Sequence, residues 1–251
     1  MKWALLVALL SGAAVAQPRY LAVLCYHQIN TKADTEMVTT PARFREQMEF
    51  LQKQGYQTVT LDQAQRFLQG KLPPKEAARP LLITFDDGYD GVYRYAYPQL
   101  KKRKMKAVTF LVVSQVDRSK PTAHLTRGQV REMASSGVFE FGSHTYDLHV
   151  PIPERRFAGQ VSAYAIRSDL TKSRTVLQGW LGKPVRALAW PYGHYDEDCL
   201  RLARESGFRL VFTTDYGYNL PDSGPWRVRR IRLSSDFDTV EVLRAKLETG
   251  G

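Results

Sequence analysis

The sequence contains little cysteine. Among its 251 residues there are only two, Cys25 and Cys199. Two thiols cannot build a disulfide scaffold or a cysteine-based metal centre, so both classes of protein are excluded. Cys25 lies in an apolar, strand-like run and Cys199 in a helical stretch. A single bridge between them stays open as an alternative, but two separate buried thiols are the favoured interpretation.

Long hydrophobic runs are also scarce. Beyond the N-terminal segment, no apolar run approaches the ~20 residues that span a bilayer. Met1–Ala16 itself is typical of a secretory signal peptide, with a positive start at Lys2, an apolar stretch and the cleavage pattern A-V-A at residues 14–16. We therefore expect residues 17–251 to form one exported domain that is secreted, periplasmic or attached to the cell surface, without stable membrane insertion.

Acidic residues are too few to balance the basic ones. Lys and Arg number 36 and Asp and Glu 25, which gives a net charge of +11 that falls by one without Lys2. Such a charge suits a nucleic acid or an anionic surface. However, the basic residues are scattered over predicted helix faces, so we expect no nucleic-acid partner. Arg227, Arg229 and Arg230 are expected on a solvated strand face, with ligand contact as the alternative.

Short apolar runs alternate with longer amphipathic stretches. The predicted strands are Tyr20–Tyr26, Gln57–Thr60, Leu81–Phe85, Ala107–Val113, Val138–Gly142, Val185–Trp190, Arg209–Thr213 and Val228–Leu233. The predicted helices are Pro41–Gln54, Leu61–Gln69, Tyr89–Lys104, Thr126–Ser136, Glu154–Leu181, Asp196–Ser206 and Asp236–Glu248. This alternation without a linker predicts an α/β fold, namely a single barrel-like (β/α) domain with seven or eight parallel strands, distorted or incomplete. A doubly wound open sheet is the alternative.

The stretch Leu81–Tyr89 carries the strongest local signal. A buried strand runs directly into Asp86, Asp87 and Gly88. Adjacent carboxylates at a strand terminus repel each other and lose hydration, which is costly unless a cation or a proton compensates. For an isolated Asp-Asp-Gly, a turn with solvated carboxylates would be the simpler interpretation. In a parallel barrel, however, strand C-termini converge on the face where active sites are built.

Two histidines five residues apart, His144 and His149, follow another predicted strand. On a loop at a strand end both rings can reach one centre. Two imidazoles and one carboxylate form an open metal site with coordination positions left for water and substrate. Beside the Asp-Asp pair, this interpretation is favoured over two ordinary hydrogen-bonded histidines.

These segments resemble the polysaccharide deacetylases, that is, carbohydrate esterase family 4, the nodulation-factor deacetylase homology group. Thr84–Gly88 resembles their first motif and His144–His149 their second, although the usual spacing of the two histidines is four residues. The wider spacing, together with Cys25-Tyr26-His27 and Ala189-Trp190-Pro191-Tyr192-Gly193, is similar to the branch that deacetylates poly-β-1,6-N-acetylglucosamine in biofilms. The resemblance extends from about Tyr20 to Leu233.

The resemblance implies roles for individual residues. Asp87, His144 and His149 would hold one divalent metal ion, zinc by the commonest assumption, with nickel, cobalt or iron as alternatives. Asp86 would act as the general base, and the Tyr192 backbone N–H would stabilise the oxyanion together with the metal. The substrate-binding candidates are Tyr146, Trp190 and Pro191, and for Trp190 core packing is an equally favoured interpretation.

The sequence departs from the family pattern at two places. Where the family carries an arginine that orients the base, this chain has Ala189, and after Leu233 it has serines where the family has the histidine that acts as general acid. His27, at the end of the first strand, is the favoured replacement for the acid, and His194 is its rival.

We therefore expect a monomeric, metal-dependent N-deacetylase that acts on an N-acetylglucosamine polysaccharide and releases acetate. Chitin or peptidoglycan deacetylation is the alternative within this class of enzyme. A non-catalytic or very weakly active sugar-binding relative is the alternative outside it. An exported nucleic-acid binder is supported by charge alone.

Overall fold

The computed structural model describes residues 19–33, 35–149, 161–233 and 235–249. The predicted signal peptide, Met1–Ala16, lies outside these described residues. Among the described residues there is no candidate for a membrane-spanning helix. Cys25 and Cys199 are both buried and carry free thiols, which confirms the favoured interpretation of two separate cysteines.

The strands follow the predicted alternation. In chain order they are β1 Ala22–Tyr26, β2 Gln28–Ile29, β3 Val38–Thr39, β4 Gln57–Thr58, β5 Pro80–Phe85, β6 Ala107–Leu111, β7 Phe139–Ser143, β8 Ala187–Ala189, β9 Leu210–Tyr216 and β10 Val228–Arg232. The α-helices are α1 Pro41–Lys53, α2 Leu61–Leu68, α3 Tyr97–Arg103, α4 Arg127–Ser135, α5 Ala163–Leu181, α6 Glu197–Glu205 and α7 Val240–Thr249.

Seven parallel strands close into a barrel. Strands β5 to β10 pair in sequence, β10 pairs with β1, and β1 pairs back with β5. The closing pair runs from Ala22 opposite Leu81 to Tyr26 opposite Phe85. Strand β4 adds to β5 outside this ring, and β2 with β3 forms a separate parallel pair. The predicted barrel is confirmed, and the open doubly wound sheet is excluded.

Alternate residues of the barrel strands belong to two different cores. Val23, Leu82, Phe110, Ala189 and Phe212 lie in the cluster that fills the barrel. The intervening residues pack with the helices in a second cluster that surrounds it. Successive side chains in a strand point to opposite faces. The alternation along each strand therefore decides which side chains at its end face the mouth of the barrel and which face the helices.

Helix starts follow their capping residues. The Thr60 and Thr126 side chains accept hydrogen bonds from the backbone N–H groups of Gln63 and Gln129, whose side chains reach back to form complete capping boxes. The predicted helix Glu154–Leu181 is wrong at its start. The observed helix begins at Ala163, because Ser162 caps it by accepting from the N–H of Ala165; residues 150–160 lie outside the described part of the chain.

The prediction of one continuous helix over Tyr89–Lys104 is also wrong in part, because the observed segment is interrupted. It consists of a π-helical turn, Val92–Ala96, followed by α3. Pro98 lies in the first turn of α3, where it has no N–H to donate and its ring crowds the carbonyl one turn earlier. The wider π-turn just before it accommodates this break in the α-helical hydrogen-bond pattern.

Candidate metal and catalytic site

The carboxyl end of β5 turns sharply so that both aspartates remain inside the protein. The Asp86 N–H donates to the Tyr26 carbonyl at 2.9 Å, and the Gly88 N–H donates to the Asp86 carbonyl at 2.8 Å. Asp87 has φ +68° and Gly88 φ +79°, the left-handed region that aspartate tolerates and glycine favours. Asp86 is 2% exposed and Asp87 7%. The simpler interpretation of a turn with solvated carboxylates is therefore wrong.

The two histidines converge on Asp87, as predicted. His149 Nε2 lies 3.0 Å and His144 Nε2 3.5 Å from Asp87 Oδ1. The His144 Nδ1–H donates to the Ala189 carbonyl at 2.8 Å. This hydrogen bond fixes the tautomer and leaves the Nε2 lone pair facing the carboxylate, the arrangement that orients metal-ligating histidines in proteins.

The three side chains fit a metal ion. One ligand atom from each of Asp87, His144 and His149 can be chosen so that all three atoms lie within 4.8 Å of one another. Asp87 Oδ1 is buried and accepts no well-directed hydrogen bond from the described residues. Burial alone would raise the pKa of Asp87, but His149 and His144 lower it overall, so the carboxylate is ionised and available to a cation.

Asp86 is paired with Arg230 rather than with the histidines. Arg230 Nη1 donates to Asp86 Oδ1 at 2.8 Å, and Nε donates to the Thr213 carbonyl at 2.7 Å. Both side chains are almost completely buried. Burial would raise the pKa of Asp86, yet the Arg230 charge, assisted by His144 and His27, holds it well below its usual range. Asp86 is therefore an ionised carboxylate at neutral pH.

The buried position of Arg230 corrects the expectation of a solvated strand face. Arg229 and Arg232 are exposed, but Arg230 is only 2% exposed. The alternation of side chains along the strand could have indicated this burial. Arg230 is two residues after Val228, which lies in the barrel-filling cluster, so both side chains are on the same face of the strand. A charged residue on that face has to meet an opposite charge, and the Asp-Asp pair supplies it.

Cys25 and His27 lie on the other side of Asp86. The Cys25 thiol donates to Asp86 Oδ2 with an S–O distance of 3.6 Å, and burial raises the pKa of this thiol. His27 is half-buried, and its Nδ1 has no hydrogen-bond partner among the described residues. Burial lowers the pKa of His27, while Asp86 and Asp87 act in the opposite direction.

These groups line one open cavity of about 710 Å³ at the mouth of the barrel. Its walls include Asp86, Asp87, His144, His149, His27 and Tyr192. Tyr192 is 46% exposed and has φ +55°. Its hydroxyl lies 3.4 Å from His149 Nδ1. His194, the rival for the acid role, also lines the cavity, together with Tyr216 and Met37, which the sequence interpretation had missed.

The predicted substrate-binding residues are placed elsewhere. Trp190 is fully buried in the cluster between barrel and helices, because it alternates with the inward-facing Ala189 along the strand. Pro191 is also buried. The ring of Tyr146 is half-buried, with the Lys172 ammonium 3.7 Å from its centroid. None of the three lines the cavity. For Trp190 the core-packing interpretation is the correct one.

Comparisons with known proteins agree on one family. A family model described as polysaccharide deacetylase matches residues 74–211. The putative polysaccharide deacetylase YxkH of Bacillus subtilis is 31% identical over 221 residues, which make up 87% of this chain and 73% of that protein. The poly-β-1,6-N-acetyl-D-glucosamine N-deacetylase of Staphylococcus epidermidis is 30% identical over 207 residues, or 80% of this chain and 70% of that protein.

Two solved structures are similar over nearly the whole chain. IcaB from Ammonifex degensii superposes with a TM-score of 0.81 and 31% identity, covering 92% of this chain and 97% of that one. The Streptococcus pyogenes deacetylase PplD in complex with acetate superposes with a TM-score of 0.79 and 27% identity, covering 94% and 100%. The barrel described above is thus the fold of these deacetylases.

The buried pair of Arg230 and Asp86 makes a testable contribution to stability. Arg230→Met leaves the Asp86 carboxylate buried without its cation, and we expect a loss of about 3–5 kcal/mol in the free energy of unfolding. Urea unfolding of the metal-free wild type and variant measures this difference in the free energy of unfolding. Arg229→Met, which removes an exposed neighbour of the same type, is the control and should change stability by less than about 0.5 kcal/mol. Equal destabilisation by the two substitutions would contradict the assignment.

Proposed function

Because the chain belongs to the polysaccharide deacetylase family, we propose that it removes N-acetyl groups from an extracellular N-acetylglucosamine polymer, with poly-β-1,6-N-acetylglucosamine as the favoured polymer. Family membership supports a polysaccharide N-deacetylase, and a non-catalytic or very weakly active sugar-binding relative is the alternative. The observation that carries the proposal is the cavity in which Asp87, His144 and His149 meet beside the Asp86–Arg230 pair.

Asp87, His144 and His149 are proposed to hold one divalent metal ion, zinc in the first instance and nickel, cobalt or iron as alternatives. Nitrogen and carboxylate donors of this kind suit all four metals, and three protein ligands are typical of a catalytic rather than a structural site. A metal held there would supply Lewis-acid chemistry at the acetamide carbonyl.

Asp86 is the proposed general base. The Arg230 guanidinium keeps this carboxylate ionised and fixes its Oδ1, so Oδ2 is the oxygen available to take a proton from the attacking water. The water oxygen forms the new bond to the carbonyl carbon. The Tyr192 backbone N–H is proposed to stabilise the oxygen on which negative charge develops. Arg230 takes the place of the arginine that the family carries where this chain has Ala189.

His27 is the proposed general acid. When the bond between carbonyl carbon and nitrogen breaks, the amine must gain a proton, acetate leaves and the free amine stays on the sugar. His27 has an atom within 4.8 Å of the Cys25 thiol and the Asp86 carboxylate. Burial lowers the pKa of His27 overall, although the charges of Asp86 and Asp87 act in the opposite direction. His194 lies in the same cavity but belongs to the loop after the Pro-Tyr-Gly turn.

Similar proteins support the choice of polymer, and the predicted signal peptide supports an extracellular location. Proteins similar to this chain are named poly-β-1,6-N-acetyl-D-glucosamine N-deacetylases. The segment Met1–Ala16 supports export, with residues 17–251 as the catalytic domain. Tyr216 and Met37, which are 42% and 37% exposed, offer apolar surface along the cavity wall where a sugar ring can pack.

Acetate release from matched oligosaccharides tests this function. We expect the metal-loaded protein to release acetate faster from a β-1,6-linked N-acetylglucosamine oligomer than from a β-1,4-linked oligomer of equal length or from peptidoglycan. Faster release from either of the last two would show that the polymer is wrongly assigned. No acetate from any of the three would contradict the proposed function itself.

The acid is tested by substituting each candidate histidine with a neutral residue of similar size. We expect His27→Gln to lower kcat by about 10²–10⁴-fold, since general acid–base help is worth that much. Its content of the ion held by Asp87, His144 and His149 should stay that of the wild type. His194→Gln is the matched control from the same cavity and should retain most of the turnover. The reverse result would transfer the acid role to His194.

A further inference from the structure

Cys25, His27 and Asp86 form a second group of metal-ligating side chains in the cavity. Their ligand atoms lie within 4.8 Å of one another, and all three residues line the cavity wall. We propose that this group, named here the Cys25 site, binds a second, thiophilic divalent cation such as zinc or cadmium in excess and thereby inhibits the enzyme. The inhibitory effect rests on the proposed function, whereas the binding itself does not.

The donor set selects the class of ion. A thiolate, an imidazole and a carboxylate together suit zinc or cadmium and are poor ligands for magnesium or calcium, which prefer oxygen. Cys25 Sγ is already 3.6 Å from Asp86 Oδ2. The Nδ1 of His27 is buried and has no hydrogen-bond partner among the described residues. Since a buried polar atom is costly without a partner, a ligand there would remove that cost.

The Cys25 site is distinct from the proposed catalytic metal site. The two groups share no residue, but they are close, since His144 Nε2 lies only 4.0 Å from Asp86 Oδ2, and cations at both sites would repel each other. Arg230 is bound to the other Asp86 oxygen, so its positive charge opposes a cation at the Cys25 site. We therefore expect the Asp87 group to fill first and the Cys25 site to fill only with further metal.

Occupancy would disable both proton transfers. An ion at the Cys25 site takes up Asp86 Oδ2, the oxygen that receives the proton from water, and also binds the imidazole that supplies the proton to the amine. The Cys25 thiol loses its proton to solvent as the sulfur–metal bond forms, and no electron is transferred. Excess metal would thus inhibit without displacing the catalytic ion.

Cadmium binding tests the site independently of activity. We expect the wild type to bind two equivalents by equilibrium dialysis, with the ultraviolet thiolate-to-cadmium absorption appearing only with the second equivalent. Cys25→Ser and Cys25→Ala should bind one equivalent and lack the absorption. Cys199→Ser, which removes the other buried thiol, is the matched control and should behave as wild type. His144→Ala should weaken the first equivalent and keep the thiolate absorption.

Inhibition is then measured with zinc, relative to the activity of each protein at one equivalent. We expect Cys25→Ser to need at least about tenfold more zinc for half-inhibition than wild type or Cys199→Ser, because loss of even a supporting group costs about 10–100-fold in metal affinity. The proposal would be overturned if the wild type bound only one equivalent of cadmium or if Cys25→Ser kept the thiolate absorption. Equal inhibition of wild type and Cys25→Ser by zinc would also overturn it. If no substrate is deacetylated while the second equivalent still binds, the proposed function fails and the Cys25 site stands.

Discussion

Two adjacent carboxylates buried at the end of one strand impose the constraint on which the site depends. Asp86 and Asp87 cannot both be ionised inside a protein unless separate positive charges compensate them. The barrel provides this separation. Arg230 from β10 approaches Asp86, and His144 and His149 from the end of β7 approach Asp87. Asp86 is thereby held by an ion pair, as suits the proposed base, and Asp87 is left with an oxygen suited to a cation.

Closure of the barrel makes it possible to compensate the two carboxylates separately. Because β1 lies between β5 and β10, closing the barrel brings Arg230 and His27 to the same aspartate from two different strands. The arginine and histidine that the family pattern places at other chain positions are absent there. In this chain Arg230 and His27 lie beside Asp86 instead. This is consistent with the general observation that catalytic groups at a barrel mouth come from several strands.

The sequence was sufficient to predict the barrel, most element boundaries and the convergence of Asp87, His144 and His149. These depend on local apolar runs, capping residues and the rule that parallel strand ends meet on one face. The pairing of Arg230 with Asp86 was missed because it joins residues 144 positions apart, and sequence spacing carries no such information. For Trp190 the sequence left sugar contact and core packing equally favoured, and only its register in the folded strand, which directs it away from the cavity, decides for the core.

The isosteric substitutions Asp86→Asn and Asp87→Asn distinguish the tasks of the two neighbouring aspartates. Metal content and acetate release would be measured on the same preparations. We expect about one metal ion but little turnover for Asp86→Asn, and loss of both for Asp87→Asn. Full metal content in Asp87→Asn, or wild-type turnover in Asp86→Asn, would show that the two aspartates do not divide metal binding and proton transfer in this way.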